Sequence, residues 1–215
     1  MSGFYFFDIA ALVVDAVVIG FYFKRFQIAN MKDRCFCYLV FAVFFMTLFD
    51  FLSGLLGSLG CASPSLLWIL NILYYIFNLT VAPSYAIYSF VISSFFSRKS
   101  LENKGNSVIM LFALVIPYLI TLITTFLSPF FANMGRFDLT VFYINSNGEY
   151  VRGGFLFVAL YVVTVYYCIL SFMVVVTNRK KLQYGSSLVI IVSFLIFSLI
   201  VSSGQFVNMN KFVSS

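Results

Sequence analysis

The chain has no histidine, and among its 215 residues only seven are acidic and thirteen basic. Without imidazole there is no histidine-ligated metal centre, no phosphotransfer histidine, and no side chain whose ordinary pKa sits near neutrality to act as a general base. Cysteine is scarce as well, four in all. Cys35 and Cys37 fall at the start of one apolar run, Cys168 lies inside another, and only Cys61 lies in a loop that the topology below places outside. No outward-facing pair is left for a structural disulfide, and a Cys-x-Cys with no second pair is at most half of a metal site. The sequence also lacks a P-loop and any glycine-rich nucleotide loop, so the chain is expected to be non-enzymatic and to carry no cofactor and no metal.

What the sequence has is apolar surface. Hydrophobic residues make up 62% of it, charged residues 9%, and the mean hydropathy is +1.04. No soluble domain buries that much apolar side chain, so the composition defines a polytopic membrane protein, all-α because backbone polar groups in lipid need partners within their own segment. Six transmembrane helices are predicted: Phe4 to Phe23, Cys35 to Leu59, Leu66 to Phe96, Val108 to Phe131, Phe155 to Val176 and Leu188 to Val207. About 20 residues cross a ~30 Å hydrocarbon core, so the third run is longer than a straight crossing needs, and Pro83 is its expected kink. Residues 1–215 read as a single transmembrane domain. The first run has no basic region before it and no small-residue cleavage site after it, which fits a retained helix and not a signal peptide.

Orientation follows from the loops. Lys24, Arg25, Lys32 and Arg34 lie in the first connection, Arg98, Lys99 and Lys104 in the third, and Arg179, Lys180 and Lys181 in the fifth, which puts ten of the thirteen basic residues on one side. The positive-inside rule then sets the N-terminus outside. The same residues form no stripe along one face, so the net charge of +6 is a topology signal and not a nucleic-acid footprint; the partner expected for it is the lipid bilayer.

A few polar residues stand inside the runs. Asp15 falls in the first and Asp50 in the second, roughly 14 to 17 Å below the outer helix ends at 1.5 Å per residue. Asn71 and Asn78 share one face of the third, with Tyr74 and Tyr75 between them, roughly 7 to 18 Å below theirs. Their common depth points to one outward-opening pocket formed by Asp15, Asp50, Asn71, Tyr75 and Asn78 for an unknown small ligand. A membrane aspartate costs ~2.5–3.5 kcal/mol on insertion scales and is usually functional, whereas for the asparagines the structural reading, as interhelical hydrogen-bonding groups, is the better one. A small transporter or channel is the alternative reading, although no inverted repeat relates the two halves. An aspartyl dyad of Asp15 and Asp50 is disfavoured by the absence of glycine-rich surroundings.

Between the fourth and fifth runs comes VFYINSNGEYVRGG, Val141 to Gly154. Val141 to Ile144 is β-branched and aromatic, Asn147 and Gly148 suit a two-residue type I′ turn, and Glu149 to Arg152 returns, so an extracytoplasmic β-hairpin is predicted over residues 141–152. Phe142, Tyr143 and Tyr150 suit the membrane interface. The segment is read as a lid, with Tyr143, Asn147, Gly148 and Tyr150 as its body and Arg152 as the cation that answers the buried acids.

The sequence resembles the seven-helix N-terminal membrane domain of bacterial signalling proteins, above all GGDEF-type diguanylate cyclases of Firmicutes. The likeness is carried by FDIAALVV (Phe7 to Val14), KDRCFCYLVFAVFFMTLFDFLSG (Lys32 to Gly54), ILNILYYIFNLTVAPSYAIY (Ile69 to Tyr88), IPYLITLITTFLSPFF (Ile116 to Phe131) and the hairpin segment. Asp33-Arg34 at the start of the second helix, Asp50, and Phe142 to Gly153 match that family's pattern; Val151 and Gly154 replace its usual His and Pro. The resemblance implies a signal-sensing input module in the bacterial cytoplasmic membrane, working as a homodimer and regulating cyclic di-GMP synthesis. The chain has no GGDEF stretch of its own. It stops at Ser215 after the sixth run, a seven-helix bundle cut short, through a truncated gene or because a seventh helix and a cyclase domain belong to a longer product.

Overall fold

The structure, a computed structural model, describes residues 4–25, 31–59, 63–93, 104–144 and 150–177. They form helices α1 (Phe4–Arg25), α2 (Met31–Ser58), α3 (Pro64–Ile92), α4 (Lys104–Asn133) and α5 (Phe155–Thr177), with a 3-10 turn (Phe137–Leu139) and strands β1 (Phe142–Ile144) and β2 (Tyr150–Arg152) between the last two helices. Among the described residues four helices are long and apolar enough to cross a membrane, α2 to α5; the apolar stretch of α1, Ile9–Phe21, is shorter than a span. The sixth predicted run, Leu188 to Val207, lies outside the described residues. The protein is thus an all-α membrane protein with one small antiparallel ladder.

Local chemistry sets the helix ends. The third helix begins two residues before the predicted Leu66, because Ser63 is its N-cap, with its hydroxyl accepting from the Leu66 N–H at 3.3 Å, and Pro64 supplies a preset first-turn φ. It ends at Ile92, short of the predicted Phe96; there the Ser93 N–H bonds to the Ser89 carbonyl and the Ser93 hydroxyl to the Phe90 carbonyl, both at 3.0 Å. Helices α3 and α4 run on through Pro83, Pro117 and Pro129. A helical proline lacks the N–H that would satisfy the carbonyl four residues back, an expensive loss in lipid. For Pro117 that carbonyl belongs to Ala113, and the Tyr166 hydroxyl of α5 donates to it at 3.0 Å; the neighbouring Tyr167 hydroxyl donates to the Leu114 carbonyl.

Polarity runs inside out. Helix α4 buries Thr121, Thr125 and Ser128, while Phe112, Ile116, Ile120, Ile123 and Phe126 are exposed. The buried hydroxyls bond to carbonyls of their own helix, Thr125 to Thr121 at 2.9 Å and Ser128 to Thr124 at 3.4 Å. An apolar exterior over hydroxyl-bearing contacts is the arrangement expected where the surrounding solvent is hydrocarbon.

Helix α3 is the hub, packing against α2, α4 and α5, while α1 docks on α2. Phe77 of α3 stacks with Phe45 and Phe49 of α2 at centroid distances of 5.1 and 5.7 Å. One core cluster joins Tyr74, Tyr75 and Leu79 to Val141 and Phe142 of the ladder segment and to Phe157 and Leu160 of α5. A second brings Leu39, Tyr85, Cys168 and Val175 together toward the other end of the bundle.

The ladder lies in the expected segments, but its register corrects one expectation. A two-residue turn at Asn147 and Gly148 would set Ile144 opposite Val151; the observed pairs are Phe142–Arg152, Tyr143–Val151 and Ile144–Tyr150. The reason lies at the open end, where the Gly153 N–H bonds to the Val141 carbonyl at 3.2 Å and the Val141 N–H bonds to the Ser128 hydroxyl at 2.9 Å. Those bonds fix the pairing from α4 inward. Residues 145–149, which include Asn147 and Gly148, lie outside the described residues. Phe142 is a second correction, since it is 0% exposed and not a membrane-interface ring.

Gly154 joins the ladder to α5 with φ at +100°, and a Cβ there would run into the Thr140 carbonyl and stand 2.9 Å from the Phe137 carbonyl. Gly135 has φ at +73° but open space around it. Gly154→Ala is therefore expected to cost several kcal/mol, on the order of 3, and Gly135→Ala only about 1. Thermal midpoints of the two variants in detergent check this; equal shifts would show that the close approach at Gly154 is relieved without cost.

Candidate functional site

The predicted pocket residues occupy three helices. Asp15 is half-buried on α1 and Asp50 half-buried on α2, where the Ser53 hydroxyl donates to the Asp50 carbonyl at 3.1 Å. The Phe45–Phe77 and Phe49–Phe77 contacts fix the antiparallel register of α2 on α3. With equal rise along both helices, Asp50 then stands roughly level with Ile72 to Ile76. Asn78 is half-buried and donates to the Tyr74 hydroxyl at 3.4 Å. Arg152 stands opposite Phe142, and Tyr150 opposite Ile144, in the ladder; the side chains of both lie outside what is described.

Asn71 is the most constrained of these residues. It is 0% exposed; its Nδ2 donates to the Leu67 carbonyl at 2.8 Å, while its Oδ1 is buried with no hydrogen-bond partner. The amide cannot be turned round to relieve this, because Oδ1 would then face the Leu67 carbonyl. A buried acceptor left unsatisfied costs about 1–3 kcal/mol, more than a typical hydrogen bond returns.

The neighbours of Asn71 along its face of α3 are aromatic. Trp68, Asn71 and Tyr75 follow one another at intervals of three and four, which places them on one face of α3. Phe142 of β1 lies on that face, 4.7 Å from the Trp68 ring centroid at 44° and 5.3 Å from Tyr75 at a near-parallel 17°. Tyr74 meets Tyr75 edge-on at 4.9 Å. The ladder is therefore seated in the bundle by one ring, with Tyr143 packed outside it against Phe137 at 4.7 Å. The structure brings Asn71, Tyr75, Asn78 and the ladder together around α3, with Asp50 level on α2 and Asp15 on the helix beyond.

Trp68 and the buried seat of Phe142 were not singled out in the sequence, although the spacing of Trp68, Asn71 and Tyr75 carried the signal for a shared face. Nor was the contact between Thr80 and Tyr118, whose hydroxyls lie 3.3 Å apart across α3 and α4. An apolar groove of about 500 Å³ opens between α2 and α3, lined by residues that include Cys35, Tyr38, Phe45, Thr80 and Ser84. None of the predicted pocket residues lines it, and it faces the end of the bundle away from the ladder.

Outside the spans, Arg136 Nε lies 3.2 Å from Asp138 Oδ1. The guanidinium hydrogen bond holds the Asp138 carboxyl below its ordinary value of 3.8 and raises Arg136. Any stability from the lowered carboxyl is present above that ordinary value and lost as pH falls through the folded one; both side chains are exposed, so the amount is small. Among the described residues no three His, Cys, Asp or Glu side chains gather as a metal site.

No family model matches the chain, and neither the curated proteins nor the solved structures contain a match to it. The geometry has a first consequence at Asn71. Replacing it by the similarly shaped Leu removes the unsatisfied acceptor and leaves the Leu67 carbonyl its helical partner, so Asn71→Leu is expected to melt at the same temperature as the parent protein or higher. A midpoint several degrees lower would show that Oδ1 has a partner in the folded protein.

Proposed function

We propose that the chain is the membrane-embedded input module of a bacterial signalling protein, of the kind that precedes diguanylate cyclase domains and regulates cyclic di-GMP synthesis. The class of module is suggested by the sequence resemblance alone; the observation that supports an input role is the seating of Phe142. One ring of the ladder is held against Trp68 and Tyr75, on the face of α3 that carries Asn71 with its unpartnered Oδ1. A ligand that changes this seat changes the position of the ladder. The ladder leads through Gly153 and Gly154 directly into α5, and α5 packs on α3 and α4 along its length.

In this reading the N-terminus and the hairpin face outward in the cytoplasmic membrane. Asp15, Asp50, Asn71, Tyr75, Asn78 and Arg152 form the ligand side, and the inner ends of the helices pass the displacement to an effector in a homodimer. The module is non-catalytic. A small transporter is the rival, and the unbroken passage of α3 and α4 through their prolines gives it no support, since transport sites form where helices unwind at mid-membrane.

The test is thermal stabilisation of the purified protein in detergent against a panel of small polar solutes. At a solute concentration of about 100 Kd a single site adds about 2.7 kcal/mol, a readily measured rise in the midpoint. That rise is expected to disappear in Asp50→Ala; stabilisation that persists unchanged in the variant would remove Asp50 from the ligand site and the pocket with it.

A further inference from the structure

We infer that Phe142 is a displaceable plug in a binding site for a small primary ammonium ion, whose N–H groups donate to Asn71 Oδ1. The inference deepens the sensor reading above and rests on it only for the consequence of binding, not for the binding itself. Three observations converge. The first is the acceptor: Asn71 is fully buried, its amide orientation is fixed by the bond to the Leu67 carbonyl, and its Oδ1 has no partner. A guest that supplies a donor relieves the one buried side-chain nitrogen or oxygen that the described residues leave unsatisfied.

The second is the wall. Trp68 and Tyr75 flank Asn71 along one face of α3, and Tyr74 stands edge-on to Tyr75. In the closed state Phe142 stacks on the Tyr75 face and meets Trp68 at a tilt of 44°. Aromatic faces attract cations through their quadrupole, most strongly for tryptophan and in desolvated sites. A ring that stacks on them without using the acceptor beneath leaves both preferences unmet.

The third is charge. A cation at this depth is expensive without a carboxylate nearby, and Asp50 stands on α2 within about one helical turn of the level of Asn71. Neutral donors such as alcohols would satisfy Oδ1 but gain nothing from the ring faces or from Asp50. A quaternary ammonium would gain from both but has no N–H for Oδ1. The combination of acceptor, aromatic walls and carboxylate therefore selects an ammonium that keeps its protons. Because Phe142 must leave the seat for the guest to enter, and because β1 is tied to α4 through Val141 and Ser128, binding is coupled to displacement of the ladder.

Trp68 is the only tryptophan in the chain, so its emission reports on this seat without labelling. The full chain in detergent is titrated with ethylammonium chloride, with sodium chloride, ethanol and tetramethylammonium chloride as controls. The expected result is a saturable change in Trp68 emission for ethylammonium and no saturable change for sodium chloride or ethanol. Tetramethylammonium binds at least tenfold more weakly. Asn71→Leu and Asp50→Asn each weaken ethylammonium binding tenfold or more, and Phe142→Leu, which loosens the plug, tightens it several-fold. An unchanged titration in Asn71→Leu overturns the site, and unchanged or weaker binding in Phe142→Leu overturns the plug. If ethylammonium leaves wild-type emission unaltered, the guest is a buried water and the ammonium assignment fails. The sensor reading is then still judged separately, by the solute panel and Asp50→Ala.

Discussion

The seat of Phe142 between Trp68 and Tyr75 is the contact on which the ladder end of this bundle depends. A two-stranded ladder of three residues per strand has no independent stability in water. It exists here because one ring is buried to 0% exposure on α3 and because the backbone leading to that ring is pinned at both edges. On one edge the Ser128 hydroxyl of α4 takes the Val141 N–H; on the other the Val141 carbonyl takes the Gly153 N–H. Gly154, at a φ no other residue adopts comfortably, then turns the chain into α5. Pull the ring out, and the ladder loses its reason to lie on the helices.

Hydrocarbon solvent explains the rest of the arrangement. Burying apolar side chains gives no hydrophobic gain between helices already in lipid, so association relies on close packing and on hydrogen bonds. The hydroxyls of Thr121, Thr125 and Ser128 therefore face inward and the aliphatic side chains outward. The adjacent tyrosines at 166 and 167 bond to the adjacent carbonyls of Ala113 and Leu114 at the point where Pro117 interrupts the α4 ladder. Among the described residues Asn71 Oδ1 is the one buried side-chain nitrogen or oxygen without a hydrogen-bond partner, which sets it apart in this framework.

Much of this was legible in the sequence, and the parts that were not have physical reasons. Long apolar runs gave the helices, because a crossing of fixed thickness demands them; the start of α3 was placed two residues late only because the cap made by Ser63 and Pro64 extends the helix beyond the apolar run. The strand segments were visible in Val141 to Ile144 and their return, but the register was not. Asn147-Gly148 predicts a pairing from the turn outward, whereas the pairing is set from the open end by Val141 and Gly153. Phe142 read as an interface aromatic because nothing local distinguishes a ring that lies at the membrane surface from one that inserts into a neighbouring helix. The shared depth of Asp50 and Asn71 could be read from helix rise; the unsatisfied oxygen could not, since it depends on where every neighbouring donor ends up.

The central claim is that the Phe142 seat couples the ladder to the bundle, and a double-mutant cycle tests it most directly. Unfolding free energies in detergent are measured for the parent protein, Phe142→Ala, Tyr75→Ala and the double variant. A stacked pair held as this one is contributes about 0.5–1.5 kcal/mol beyond the area it buries, so the double variant should be less destabilised than the sum of the single variants by roughly that amount. Strictly additive losses would mean that the two rings are stable independently of each other, and that the ladder is held in place by something other than this seat.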